Sequence, residues 1–137
     1  IFTHPNLAND CYWNDITKFD YHHIIFTTSA KPFENDYSDI LLKKFLENIS
    51  SSCKSITLVS AYGVSETLKK SNLGIKVMNA WYLKDVYRAK NEQEKMLKNI
   101  KISKFIVRPK ALSYGKTTYL ESQSRQDLAN DILMNII

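Results

Sequence analysis

The sequence predicts an α/β fold, a three-layer sandwich in which helices pack on a parallel sheet. Short β-branched apolar runs alternate with amphipathic helical stretches along the 137-residue chain, in the order strand, helix, strand, helix, strand, helix. Strands that alternate with helices form β-α-β units with right-handed crossovers, and such units build a parallel sheet. Because three strands are few for a sheet covered on both faces, we expect further strands N-terminal to this chain.

Three apolar runs predict the buried strands of this sheet. Each is rich in Ile, Val, Phe or Thr and meets a Gly or Pro signal within a few residues of its end: His23–Thr28, Ser55–Ser60 and Lys104–Arg108. Residues 1–20 and 110–123 show no period and predict loops, the second with a short edge strand near Thr117–Leu120. Residues 65–78 predict an irregular polar connection.

Three stretches predict the helices: Asp36–Ile49, Trp81–Asn99 and Ser124–Ile137. Each carries an apolar stripe at spacings of three and four residues: Ile40, Leu41, Phe45, Leu46 and Ile49 in the first, Tyr82, Val86, Ala89, Gln93, Leu97 and Ile100 in the second, and Leu128, Ile132 and Ile136 in the third. Either Asp36 or Ser38 is expected to cap the first helix, and Ser124 with Asp127 the third. Glu94 and Lys98 are spaced as an i,i+4 ion pair on the second helix.

Composition narrows the function classes. With 44% hydrophobic and 24% charged residues, residues 1–137 are typical of a single globular domain rather than of a disordered chain. No apolar stretch approaches the roughly 18 residues of a membrane span. The three glycines are Gly63, Gly74 and Gly115. This spacing excludes the phosphate-loop patterns G-x-G-x-x-G and G-x-x-x-x-G-K-[ST] from this chain. Since the first residue is Ile1 rather than Met, we expect the natural protein to extend upstream.

Cysteine and histidine usage predicts no metal site. The two cysteines, Cys11 and Cys53, are far apart in the sequence, and no Cys/His pattern has zinc spacing. Two separated cysteines are typical of reduced thiols, which predicts a reducing, intracellular location, either the cytoplasm or the interior of an organelle.

Positive charge is concentrated in the middle of the chain. The formal net charge is +5, but residues 41–110 hold 15 basic and 5 acidic residues, whereas the flanks hold 4 basic and 9 acidic ones. Such a segment can attract the phosphates of a cofactor, a nucleic acid or an anionic surface, or can simply form solvated helix faces. Most of the excess is Lys rather than Arg, which disfavours specific nucleic-acid recognition.

The predicted topology locates the site. Ligands of open α/β sheets bind outside the carboxyl ends of the strands. Hydroxyl groups follow two of these ends, in Thr27, Thr28 and Ser29 and in Ser60. They can hydrogen-bond a ribose or a carbonyl group, and the alternative is that they satisfy backbone groups of the turns.

Several short segments occur in an order known from one enzyme superfamily: Asp15-Ile16-Thr17; Val59-Ser60-Ala61-Tyr62-Gly63; Lys90 with Glu94 as K-x-x-x-E; Arg108, Pro109 and Leu112 as R-P-x-x-L; and Ser124-Arg125-Gln126-Asp127-Leu128-Ala129. Together they resemble the atypical short-chain dehydrogenase/reductases, above all the NmrA-like branch of NAD(P)-binding Rossmann proteins. The resemblance spans about residues 14–134 and implies a Rossmann-like domain that binds NADP or NAD.

The resemblance also implies a role for individual residues. Those implied to contact the cofactor are Asp15 and Ile16 at adenine, Thr27, Thr28 and Ser29 along the cofactor, Lys90 at the nicotinamide ribose, and Pro109 beside the nicotinamide. Ser60, Tyr87 and Lys90 are the implied catalytic residues, in which Lys lowers the pKa of an acid/base Tyr. The implied activity is an oxidoreductase that acts on a small carbonyl, quinone or flavin substrate.

Two departures from the family pattern keep a second function open. The glycine-rich first β-α unit is absent from this chain, and Val86 stands four residues before Lys90, where active members have the Tyr of Tyr-x-x-x-Lys. Tyr87, three residues before, and Tyr62, from the adjacent loop, are the available replacements. The alternative is a non-catalytic Rossmann-like regulator, assembly factor or accessory subunit of a larger complex.

Other interpretations concern partners and side chains. A homodimer is compatible with Trp81, Tyr82 and Tyr87, because the corresponding helix of this superfamily often packs against a partner's helix. A basic module for RNA or an anionic surface ranks last, since no aromatic stacking motif supports it. For Lys90, the alternative to a cofactor contact is a solvated side chain paired with Glu94. For Arg108, it is an ion pair at the end of its strand with Asp127 or Glu94.

Overall fold

A computed structural model gives the fold and describes residues 21–30, 34–109, 112–113 and 123–136. Within these ranges the elements follow one another as β1 (His23–Phe26), α1 (Ser38–Glu47), β2 (Ser55–Val59), a 3-10 helix (Ser65–Lys70), α2 (Leu73–Trp81), α3 (Lys84–Lys98), β3 (Ser103–Val107), β4 (Leu112–Ser113), β5 (Gln123–Ser124) and α4 (Arg125–Met134).

The three predicted strands form one parallel sheet with β2 in the centre. Ile24 pairs with Ile56, and Leu58 pairs with Phe26 on one side and Ile106 on the other. β4 and β5 form a separate two-stranded parallel ladder. The predicted Rossmann-like α/β fold is confirmed.

The core lies on one face of the sheet. Leu42 of α1, Leu97 of α3 and the β2 side chains Ile56 and Leu58 are fully buried in one cluster. Since side chains alternate along a strand, Ile56 and Leu58 point to the same face, which α1 and α3 therefore cover. Two helices on one face are what successive right-handed crossovers in a β1-β2-β3 order produce.

The outer strands are less buried than the sequence predicts. Only β2 is buried along its length, whereas Ile25 of β1 and Phe105 of β3 are substantially exposed. These two residues flank Thr57 in one row across the face opposite the core. A β-branched run predicts a strand but carries no information on whether that strand is central or at an edge, so the expectation of three buried strands is wrong.

Helix boundaries required two corrections. Residues 65–78 are not irregular, because they contain the 3-10 helix and most of α2. The predicted helix Trp81–Asn99 corresponds to α3 with a later start, since α2 ends at Trp81 and α3 begins at Lys84.

Side-chain placement on the helices is partly as predicted. Leu42 and Leu46 of α1 and Ile49 just after it pack on the core, at i, i+4 and i+7, while Ile40 is half exposed. Ser124 caps α4 as predicted, because its Oγ accepts from the Asp127 amide at 3.0 Å. The predicted edge strand near Thr117–Leu120 lies outside the described residues. None of the described helices is long and apolar enough to span a bilayer.

Candidate functional site

The carboxyl edge of the sheet is extended by ordered backbone. Beyond the ends of β2 and β3, the Ser60 amide donates to the Val107 carbonyl at 2.8 Å and the Tyr62 amide donates to the Pro109 carbonyl at 3.0 Å. The segments that follow the strands are therefore held next to each other. α3 contributes Lys90 and Glu94 to the same edge.

Lys90 is buried where β1 and β2 end. Its side chain is 3% exposed, and its Nζ donates to the carbonyl of Thr28 at 2.6 Å and to that of Val59 at 3.0 Å. Burial lowers the pKa of Lys90 to about 8, although Asp36 and Glu94 favour the cation. The alternative of a solvated Lys90 paired with Glu94 is wrong.

The hydroxyl of Thr28 is available beside this cation. Thr28 Oγ1 is buried and has no hydrogen-bond partner among the described residues. A buried hydroxyl without a partner is unfavourable, and a bound water or ligand that supplies the partner is one explanation for it. Thr27 and Ser29, the other two candidates after β1, are exposed at the surface.

The carboxylate of Asp36 binds the backbone of the segment that follows β1, at Ala30. It accepts from the Ala30 amide at 3.1 Å and from the Ser38 amide at 2.8 Å, at the start of α1. The sequence suggested Asp36 only as a helix cap. Its side-chain contact with the backbone of Ala30, six residues earlier, cannot be predicted from helix periodicity.

Glu94 joins α3 to the ends of β2 and β3. It is fully buried, and its carboxylate accepts from Ser60 Oγ at 2.6 Å and from Arg108 Nε and Nη2 at 2.9 and 2.8 Å. Burial alone would raise the pKa of Glu94, but the hydrogen bonds from Arg108 and Ser60 outweigh it and lower the pKa. Glu94 is thus the partner of Arg108, and the predicted i,i+4 pair with Lys98 is wrong, since Lys98 lies 3.5 Å from Glu66.

Tyr87 lies one turn before Lys90 on α3. Its hydroxyl donates to the Tyr62 carbonyl at 2.9 Å, and burial raises the pKa of the phenol. The group therefore stays protonated at neutral pH. No direct hydrogen bond between Tyr87 and Lys90 is present among the described contacts.

The loop after β2 contains two residues with left-handed backbone, Gly63 at φ 93° and Ser65 at φ 48°. The conformation is unfavourable for Ser65 and is held by the bond from its hydroxyl to Asn91 of α3 at 2.8 Å. Strained non-glycine residues are concentrated near functional sites, so this loop supports a site at the same edge.

The structure thus brings together most of the residues suggested from sequence. Lys90, Thr28 and Ser60 are buried or part-buried at the strand ends, Tyr87 lies on α3, and Pro109 is buried after β3. Asp15 and Ile16 lie outside the described residues. No cluster of His, Cys, Asp or Glu suited to a metal ion occurs in the part of the chain that the structure describes.

The described residues fit part of a nucleotide cofactor. Lys90 Nζ and the unpartnered Thr28 hydroxyl can bind the hydroxyl groups of a ribose. A pyrophosphate is normally bound at a helix N-terminus, but at α1 the Asp36 carboxylate already occupies that position and repels an anion. Within the described ranges, the fit extends to the hydroxyl groups of a ribose and not to the phosphates.

Comparisons with known proteins support the fold. No family model and no curated protein matches the sequence. Among solved structures, the anaerobillin reductase ChuY of Escherichia coli O157:H7 aligns with a TM-score of 0.64 at 18% identity, over 82% of this chain and 55% of that one. ChuY of E. coli CFT073 aligns with a TM-score of 0.53 at 17% identity, over 70% of this chain and 54% of that one. The chain therefore spans about half the length of these structures and shares their fold.

Proposed function

We propose that this chain contributes the nicotinamide-proximal part of an NAD(P)-dependent reductase. The observation that carries the proposal is the buried Lys90 cation beside the unpartnered Thr28 hydroxyl, at the carboxyl edge of a parallel sheet. This edge is where α/β folds bind nucleotides. Support also comes from the fold of ChuY, a reductase, and from the resemblance to the NmrA-like short-chain dehydrogenase/reductases.

In this proposal, Lys90 holds the ribose and Tyr87 supplies a proton. Two of the three Lys90 hydrogens are used on strand carbonyls, which leaves one for a ribose hydroxyl. Tyr87 is protonated at neutral pH, and its bond to the Tyr62 carbonyl orients the phenol. A reduced nicotinamide, when bound, supplies the hydride. The substrate class is a small carbonyl, quinone or flavin, to which the ChuY comparison adds anaerobillin.

Ser60 has a different role in this arrangement. Its hydroxyl hydrogen points to Glu94 at 2.6 Å, so Ser60 Oγ can accept a hydrogen bond from a ligand but does not donate one to it. We propose that Ser60 contacts the cofactor or substrate as an acceptor, with Pro109 packed behind it.

One observation favours the second candidate, a cofactor-binding protein without turnover. Val86 is buried and apolar at the position where the family's active members have their acid/base Tyr. Tyr87, the replacement, uses its proton within the fold. In that case the chain binds NAD(P) and serves a larger complex as a regulator, assembly factor or accessory subunit.

Calorimetric titration of the 137-residue chain with NADPH and NADH tests the proposal. We expect binding of at least one of them, and a loss of about tenfold or more in affinity for Lys90→Met. The matched control is Lys95→Met, because Lys95 lies on the same helix with its side chain 59% exposed. Binding that Lys90→Met leaves unchanged contradicts the proposed site.

A second assay separates the two candidates. Oxidation of NADPH with a quinone, a flavin or anaerobillin is followed by absorbance, for the wild type and for Tyr87→Phe. Turnover that falls by about 10²-fold or more in Tyr87→Phe, at unchanged NADPH affinity, supports the reductase. Binding with no turnover on any of these substrates favours the non-catalytic candidate.

A further inference from the structure

α2 carries an exposed apolar ridge. Leu73, Val77 and Trp81, spaced at i, i+4 and i+8, are 76%, 58% and 88% exposed. At 1.5 Å per residue, the ridge is about 12 Å long. Residues at this spacing lie on one side of a helix, so the three side chains form one surface rather than three separate exposures.

α2 is rich in apolar residues and carries one charged residue, Lys76. Ala80, seven residues after Leu73, lies on the same side of the helix as Leu73 and is also exposed. A surface helix of a soluble protein normally turns polar residues outward. A contiguous apolar surface of this kind marks an interaction site.

Lysines surround the ridge. Lys69 and Lys70 end the 3-10 helix just before α2, Lys76 lies beside Val77, and Lys84 follows Trp81; all four are exposed. None of them forms a salt bridge within the described ranges. Of the acidic groups near the ridge, Glu66 lies 3.5 Å from Lys98, and Glu34 and Asp85 line one cavity with Trp81 and Lys84. The partner of this surface therefore combines an apolar part with negative charge.

We infer that the ridge Leu73–Val77–Trp81 and its lysines bind the surface of an anionic lipid bilayer. An amphipathic helix lies in the interface with its apolar side inserted about 5–10 Å, a depth that side chains of one helix can reach. Trp is favoured at the headgroup level, and lysines around it are attracted to anionic lipids. This inference concerns α2 and is independent of NAD(P) binding.

A second copy of the chain fits the ridge less well. The three ridge side chains expose on the order of 400 Å², whereas a stable protein interface takes about 800 Å² from each partner. In an antiparallel pairing of α2 with its copy, Lys76 near the middle of the helix would also approach its equivalent, which is repulsive.

Co-sedimentation with vesicles tests the inference. We expect the chain to sediment with phosphatidylcholine vesicles that contain about 30% phosphatidylserine and not with pure phosphatidylcholine. Raising the salt to about 0.5 M should release it. The double substitution Val77→Ser/Trp81→Ser should weaken binding by about tenfold or more and should leave the fold intact, because both side chains are exposed. Met134→Ser on α4, where Met134 is 84% exposed, is the matched control and should bind as the wild type.

Fluorescence locates the contact. In the background Trp13→Phe, Trp81 is the single tryptophan, and its emission should shift to the blue on addition of anionic vesicles. The inference is overturned if the wild type does not sediment with anionic vesicles, or if Val77→Ser/Trp81→Ser sediments equally. It is also overturned if the chain is a dimer in ultracentrifugation that the double substitution dissociates while vesicles are not bound, because the ridge is then a protein interface.

Discussion

Glu94→Ala should strongly destabilise the fold, because it leaves Arg108 without its counter-charge. The Glu94 carboxylate is fully buried and accepts three hydrogen bonds, two from Arg108 and one from Ser60. Ser60 and Arg108 follow β2 and β3, and Glu94 belongs to α3. The substitution therefore removes a connection among three elements at the edge where the candidate site lies.

The magnitude follows from the burial of both partners. Removing one member of a buried ion pair costs about 3–5 kcal/mol, mainly because the other charge stays buried and unpaired. The Arg108 side chain is 19% exposed, so water can solvate part of its guanidinium. We therefore expect a loss near the lower limit, about 3 kcal/mol. Glu94→Gln preserves the shape and an acceptor oxygen and should cost less, about 2 kcal/mol.

Urea unfolding followed by circular dichroism measures these losses at pH 7. With an m-value of about 2 kcal/mol/M, Glu94→Ala should lower the midpoint by about 1.5 M. The control is the double substitution Glu94→Leu/Arg108→Met, which removes both charges. It should recover most of the loss, since apolar groups of similar volume replace a buried ion pair at little cost.

The pH dependence gives an independent test of the same contact. The folded-state pKa of Glu94 is lowered, so the unfolded chain binds more protons in acid. The contribution of Glu94 to stability is complete above its ordinary pKa, about 4.5, and disappears as the pH falls through the lower folded-state value. The gap between wild type and Glu94→Gln should therefore narrow in acid. A gap below about 0.5 kcal/mol at pH 7, or one that widens in acid, would refute the reasoning.

Three further substitutions have defined outcomes. The folded-state pKa of Lys90 is lowered from 10.5 to about 8, so the unfolded chain binds more protons between these two pH values. The stability of the wild type relative to Lys90→Met should therefore rise by about 3 kcal/mol from pH 8 to pH 10.5. Urea unfolding at several pH values measures this change. Gln93 is fully buried and neither polar atom of its amide has a partner among the described residues, so Gln93→Leu should raise the melting temperature by about 3 °C, and a clear decrease would contradict this account. Ser124→Ala should cost about 1 kcal/mol in urea unfolding and Ser124→Thr should restore most of it, because the α4 cap needs a hydroxyl that accepts from the Asp127 amide and donates to the Asp127 carboxylate.

The fold was predictable because its signals are local. Each of the three strands of the main sheet was identified by a run of five or six residues, and the capped start of α4 by two residues three apart. The sequence assigns residues 65–78 to an irregular connection and begins the next helix at Trp81, so it misses α2, although the apolar α2 differs in composition from the charged α3. The exposure of Ile25 and Phe105 was missed because it depends on which strand is central, and that is a property of the assembled sheet.

The position of the candidate site could be predicted from the sequence, but the contacts of its side chains could not. The rule that ligands bind at the carboxyl ends of parallel strands led to Thr28 and Ser60 directly. The partners of Lys90 are carbonyls 62 and 31 residues earlier, and those of Glu94 are side chains 34 residues earlier and 14 residues later. No periodicity records such pairings. A resemblance to K-x-x-x-E marks the two residues, but the separate roles of the cation and the carboxylate appear only in the folded chain.

These contacts also explain why one face of α3 departs from an ordinary amphipathic helix. Its buried side includes Lys90, Gln93 and Glu94 within two turns. Glu94 is matched by Arg108 and Ser60, and Lys90 by two strand carbonyls, but burial still disfavours the Lys90 cation. An apolar side chain at position 90 would avoid that cost and serve packing alone. The proposed ligand site accounts for a buried cation in this place, next to a hydroxyl that has no partner among the described residues.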